Sequence, residues 1–145
     1  MKLSVFFEHV KEAASQSGMS IASVLQAVRK AGIEALEIEH KDLLEESKAY
    51  LKLIQEADLK ISCIYETFDF GGIDDIQKAK PLIDTANRVG AKRVLVIPGF
   101  WQETEAKALL TVKEDYEKLC ACLNENEKMQ AMVEALKQMV VYAKE

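Results

Sequence analysis

Short apolar runs alternate with stretches of helical periodicity along the whole chain. Leu3 to Phe7, Ala35 to Glu39, Ile61 to Tyr65 and Arg93 to Ile97 have the length and composition of strands. After the first of them, Ile21, Val24, Leu25 and Val28 recur at i, i+3, i+4 and i+7, with Ser20 as a cap and Gly32 as a stop. Asp42 followed by Glu45 resembles a capping box and predicts a helix to about Glu56. Phe70-Gly71-Gly72 reads as a flexible turn, and Asp74 or Asp75 then opens a helical segment through Ile83, Ala86 and Val89 that Gly90 closes. Pro81 lacks an amide hydrogen, so it either kinks that segment or stands in its first turn. Beyond Pro98-Gly99 the pattern predicts helix from near Glu103 and again from about Asn126 to Glu145. There Met129, Met132, Val133, Leu136, Met139 and Val140 share one side as core packing.

Alternating strands and helices are the pattern of βα units in a parallel sheet. The units echo one another. Arg29 to Ile38 and Asn87 to Val96 each contain a helix end, a glycine, a three-residue link and a strand, and Glu56-Ala57-Asp58-Leu59-Lys60 has the same length without the glycine. In the second strand Leu36 and Ile38 face one way while Ala35, Glu37 and Glu39 face the other. Strands covered by helices on both faces read as continuous apolar runs, which two carboxylates on one face contradict. A barrel accommodates them, because its outward residues meet helices and its inward residues line a mouth at the strands' carboxyl ends.

The expected class is therefore α/β, with four successive βα units over residues 1–145 forming half of a (β/α)8 TIM barrel, strand order 1-2-3-4 and no second domain. The rival is a flavodoxin-like binding module. It requires a strand order that reverses around the first strand, and a fifth strand for which Leu109 to Val112 is the candidate.

The stretch Ala31-Gly32-Ile33-Glu34-Ala35-Leu36-Glu37-Ile38 resembles the second strand of xylose-isomerase-like barrels, and Gly90 to Gly99 resembles their fourth. The resemblance covers the chain as the N-terminal half of such a barrel. It implies a parent protein that is a metal-dependent sugar or sugar-phosphate isomerase or epimerase. In that family a divalent metal is typically held by Glu, Asp, His and Glu from strands five to eight. The cofactor is thus expected only in the complete barrel, with no metal ligands here and no turnover from this segment alone. The related apurinic-site endonucleases add zinc-binding histidines on the third and fourth strands, where this chain has Ser62 and Ile97, so a multi-zinc repair site is not expected.

Glu37 is the catalytic candidate, since an inward carboxylate near a barrel mouth needs a cation or solvent to offset its desolvation. An ion pair inside the barrel is the alternative. Glu8 and His9 after the first strand, Glu39 and His40 after the second, Tyr65 and Glu66 at the third, and Trp101 after the fourth are candidates for substrate contact. Each also has a plainer reading as a solvated loop residue or as packing under the next helix. No Gly-rich phosphate loop follows a strand, and no nucleophile elbow is present.

Charge narrows the partners. With a net charge of −5 and 30% charged residues the chain has no basic field for phosphate backbones, which disfavours nucleic acid. No apolar run approaches the ~20 residues of a membrane span, and Glu8 interrupts the N-terminal apolar stretch too early for a signal peptide. Three cysteines without a disulfide spacing fit reduced thiols, so a cytoplasmic protein is expected. Cys120-Ala121-Cys122 lacks a second ligand pair and reads as two thiols on a helix. A half barrel also leaves two bare strand edges, with inward apolar residues such as Ile64 lacking an opposing wall. That predicts a homo-oligomer, a self-associating interaction protein, or pairing with the missing half.

Overall fold

The computed structural model describes residues 3–44, 48–70, 75–99, 101 and 103–144, with backbone alone at 48 and 75. Its elements run β1 (Ser4–Phe6), α1 (Phe7–Ser17), α2 (Ile21–Lys30), β2 (Ala35–Glu39), a single 3-10 turn (His40–Leu43), α3 (Lys48–Glu56), β3 (Lys60–Phe68), α4 (Asp75–Val89), β4 (Val94–Pro98), α5 (Glu103–Val112), α6 (Tyr116–Glu125) and α7 (Glu127–Tyr142). The four strands form one parallel sheet in the order β1-β2-β3-β4. Leu109 to Val112 lie in α5, so neither requirement of the flavodoxin-like alternative is met. Among the described residues no helix is long and apolar enough to cross a membrane.

The chain divides into two compact units, residues 1–66 with 81–96 and residues 67–80 with 97–145. In the first, three helices close in the same way. Ile33 N–H donates to Val28 O, Leu59 N–H to Ile54 O and Ala91 N–H to Ala86 O, the six-to-one bond of a Schellman ending. Such an ending needs a left-handed residue just before the donor, and Gly32 (φ 87°) and Gly90 (φ 75°) supply it. The link without glycine meets the same demand with Asp58 at φ 55°. Arg29 of α2 clasps its carboxylate at 2.9 Å.

One face of the sheet in this unit carries Leu36, Ile38, Ile61 and Ile64, all buried, as are Val24 and Leu25 of α2, Ile54 of α3 and Leu82 of α4. The other carries Ser4, Phe6, Glu37 and Glu39. A register irregularity at Leu36/Glu37 pairs Leu36 with Ile61 but Glu37 with Cys63, leaving Ser62 as the extra residue. The consequence corrects the simple alternation. Ile64 pairs with Ile38, is fully buried and lies on the helix side, while Cys63 and Tyr65 join Glu37 and Glu39 on the opposite face. Leu95 lies there as well, because Ile64 N–H donates to Arg93 O and that parallel bond sets Tyr65 opposite Leu95.

One helix, α1, lies where the sequence pattern predicts none, and the helical remainder after Pro98-Gly99 divides into three helices, α5, α6 and α7. α1 follows β1 directly, burying Phe7, Val10 and Ala14 and ending at Gly18 with φ 69°. α6 is capped by Asp115, whose carboxylate accepts the Lys118 N–H at 3.1 Å. α4 runs continuously from Asp75 through Pro81 to Val89. The predicted turn at Gly71-Gly72, the opening at Asp74 and the capping-box Glu45 lie outside the described residues.

In the second unit Gly99 approaches the sheet closely, its N–H meeting Phe68 O at 2.6 Å, and Phe68 stacks on Phe70. Lys78 donates to Thr67 O and Lys128 pairs with Asp69. α7 buries Ala135 and Met139, whereas Val133 and Val140 are exposed, so its packed stripe is turned from the predicted one. α5 and α6 have no fully buried residue.

Candidate functional site

The carboxyl ends of β1 and β2, together with Tyr65 of β3 in register with Glu39, gather polar side chains within the first unit. β2 ends at Glu39 and turns at once into the 3-10 turn, which swings Asp42 back toward α1. Because α1 starts one residue after β1, Glu8 and Lys11 lie in its first turns, three residues apart on one side of the helix. Carboxylate oxygens of Glu8, Glu39 and Asp42 all lie within 4.8 Å of one another.

Two ammonium groups are built into this cluster. Lys11 Nζ lies 2.7 Å from Asp42 Oδ2 and 3.2 Å from Glu8 Oε1, and Lys41 Nζ lies 2.6 Å from Glu39 Oε2. The Lys11 hydrogen bond and charge hold the Glu8 carboxyl below its usual range. Burial alone would weaken the charge of Lys11, but its hydrogen bonds to Asp42 and Glu8 outweigh that and raise its pKa. Lys41 is raised by its hydrogen bond to Glu39. A divalent ion needs carboxylates whose lone pairs and charge are still available. Here Lys11 and Lys41 already compensate much of that charge, so an incoming divalent ion would compete with the chain's own cations.

Tyr65 flanks Glu39 in register and packs edge-on against Phe6, with ring centroids 5.6 Å apart. Burial, reinforced by the charges of Glu8 and Glu39, pushes its phenol up to about 12. It is consequently a neutral hydrogen-bond donor at any physiological pH.

The remaining candidates are dispersed. His40 is buried and turned away from the cluster, with Nδ1 3.3 Å from Glu66 Oε2 and Nε2 3.3 Å from Thr85 Oγ1 of α4. Arg88 donates to the same Thr85 hydroxyl and to Leu43 O, so His40 and Glu66 belong to a network tying the 3-10 turn, β3 and α4 together. Glu37 lies two residues before the strand end and accepts a 2.7 Å hydrogen bond from Ser4 Oγ. It also adds to the burial that raises the Cys63 thiol. His9 is exposed, its ring edge-on to Phe6. Trp101, half-buried, belongs to the second unit.

The structure thus brings Glu8, Glu39 and Tyr65 together and adds three residues not foreseen as site residues, Lys11, Lys41 and Asp42. Lys11 was discoverable as the i+3 partner of Glu8 had the 7–17 helix been recognised. Asp42 read as a helix cap. No protein-family model matches the chain, and no curated protein matches it.

Proposed function

We propose that this chain is the first half of a (β/α)8 barrel whose parent is a metal-dependent sugar or sugar-phosphate isomerase or epimerase. The observation that carries the proposal is the gathering of Glu8, Glu39, Asp42, Lys11 and Tyr65 at the carboxyl ends of sequentially ordered parallel strands. That is the end of a barrel at which substrates are handled.

In such an enzyme a metal held by the other half would polarise a substrate oxygen. This chain's own residues have simpler tasks. Glu8 and Glu39 accept hydrogen bonds from substrate hydroxyls, Lys11 holds both Glu8 and Asp42 in place, and Tyr65 donates from its neutral hydroxyl. Glu37, one layer deeper, keeps its orientation through Ser4 and sets the charge beneath them. The segment alone lacks a centre able to move a proton between neighbouring carbons. Its open sheet face, with Phe6 38% and Leu95 41% exposed, supports pairing with a second copy or with the remaining half. Light scattering over a dilution series tests that pairing.

The activity is tested by solvent-deuterium incorporation next to the carbonyl of aldose, ketose and sugar-phosphate panels with Mg²⁺ or Mn²⁺. The assay is run on this chain and on the whole product of its reading frame. Exchange by the whole product and none by this chain supports the proposal. Exchange by neither removes it.

A further inference from the structure

One polar group at this end of the sheet has no partner. Tyr65 is only 8% exposed, yet its hydroxyl has no hydrogen bond among the described residues. Because no sealed-off polar side-chain atom there goes unpaired, that hydroxyl opens to solvent. It lies in the field of Glu8, Glu39, Lys11 and Asp42. Three carboxylates against two ammoniums leave the cluster with one net negative charge, and both ammoniums are already engaged.

An incoming group therefore meets a neutral phenolic donor and carboxylate acceptors with lone pairs to spare. Among the described residues it meets no uncommitted cation. Hydroxyls satisfy such a surface, since each can donate to a carboxylate and accept from the phenol. A phosphate dianion has only acceptors and needs an excess of ammonium, guanidinium or backbone N–H. Taking the isomerase or epimerase reading as its basis, we infer that the site formed by Glu8, Glu39, Asp42 and Tyr65 receives an uncharged polyol portion of the substrate and turns phosphate away. A phosphorylated substrate would have to direct its phosphate elsewhere.

Amide NMR of the intact chain, titrated separately with sorbitol, sorbitol 6-phosphate and inorganic phosphate at matched ionic strength, tests this. Sorbitol should shift the amides around Glu39 to Asp42 and Tyr65, and inorganic phosphate should bind there at least about tenfold more weakly. Sorbitol 6-phosphate should engage through its unphosphorylated end. Tyr65→Phe removes only an unpartnered hydroxyl, so the fold should persist by circular dichroism while sorbitol affinity falls about threefold or more. Glu39→Gln should narrow the gap between sorbitol and phosphate.

Inorganic phosphate binding at these amides as tightly as sorbitol overturns the inference and leaves the isomerase or epimerase reading standing. Sorbitol shifting a different part of the chain does the same. No response to any of the three probes overturns both.

Discussion

Lys11 of α1 and Asp42 of the turn after β2 meet at 2.7 Å, joining the ends of two adjacent βα units through a contact that is mostly shielded from water. The Asp42 side chain is only 10% exposed and has this ammonium as its ion-pair partner. Lys11→Met leaves both Asp42 and Glu8 uncompensated and should destabilise the fold by roughly 1–3 kcal/mol. Asp42→Asn in the same chain should return a measurable part of that loss. Urea unfolding of the two single variants and the double variant gives the coupling directly. Strict additivity would show that the contact is incidental.

Asp58 occupies a backbone conformation that glycine adopts in the two equivalent links. A β-branched side chain is strained there, so Asp58→Val should lower stability by about 1–3 kcal/mol. Asp58→Gly relieves the strain but forfeits an exposed ion pair with Arg29, and should stay within about 1 kcal/mol of the parent. Thermal or urea midpoints check the ranking. Valine tolerated as well as glycine would mean that the Schellman bonds do not govern this helix end.

These two pairs also show what was legible in the sequence. The three strand-entry links were visible because glycine, or its absence at constant spacing, records a backbone requirement locally. The strand order 1-2-3-4 is the one that barrel connectivity requires of consecutive βα units. What escaped were features set by neighbours distant in sequence. The bulge that moves Ile64 to the helix side and Tyr65 to the Glu39 side depends on pairing with β2, and no alternation within β3 reveals it. His40 looked like a loop residue because the Thr85 and Glu66 that bury it are 45 and 26 residues away. α1 was obscured because Phe7, its first buried residue, continues the apolar run of β1.

The three cysteines should separate by reactivity. Cys63 is 7% exposed on β3, and burial raises its thiol above the ordinary range, so little thiolate is present or reachable. Cys122 is exposed on α6 and Cys120 is intermediate. Under native conditions a thiol reagent followed by mass spectrometry should modify Cys122 first, Cys120 more slowly and Cys63 only on unfolding. Early labelling of Cys63 would contradict its position in the sheet.

Tyr65 gives the fold an alkaline limit. Its phenol is pushed up to about 12 by burial and by the neighbouring charges of Glu8 and Glu39, whereas an unfolded tyrosine titrates near 10. The folded state therefore holds the proton more tightly than the unfolded state. Stability from this group is complete below pH ~10 and is lost as pH rises toward ~12. Lys11 acts in the same sense, since its raised pKa also favours the protonated folded form. Ultraviolet titration at the phenolate band should show a late step from Tyr65, coincident with loss of helical circular dichroism. In Tyr65→Phe the late phenolate step should vanish, and unfolding should move to higher pH because the buried group no longer has a charged form to release. A late step that survives in Tyr65→Phe would assign the alkaline transition to another tyrosine and detach it from the carboxylate cluster.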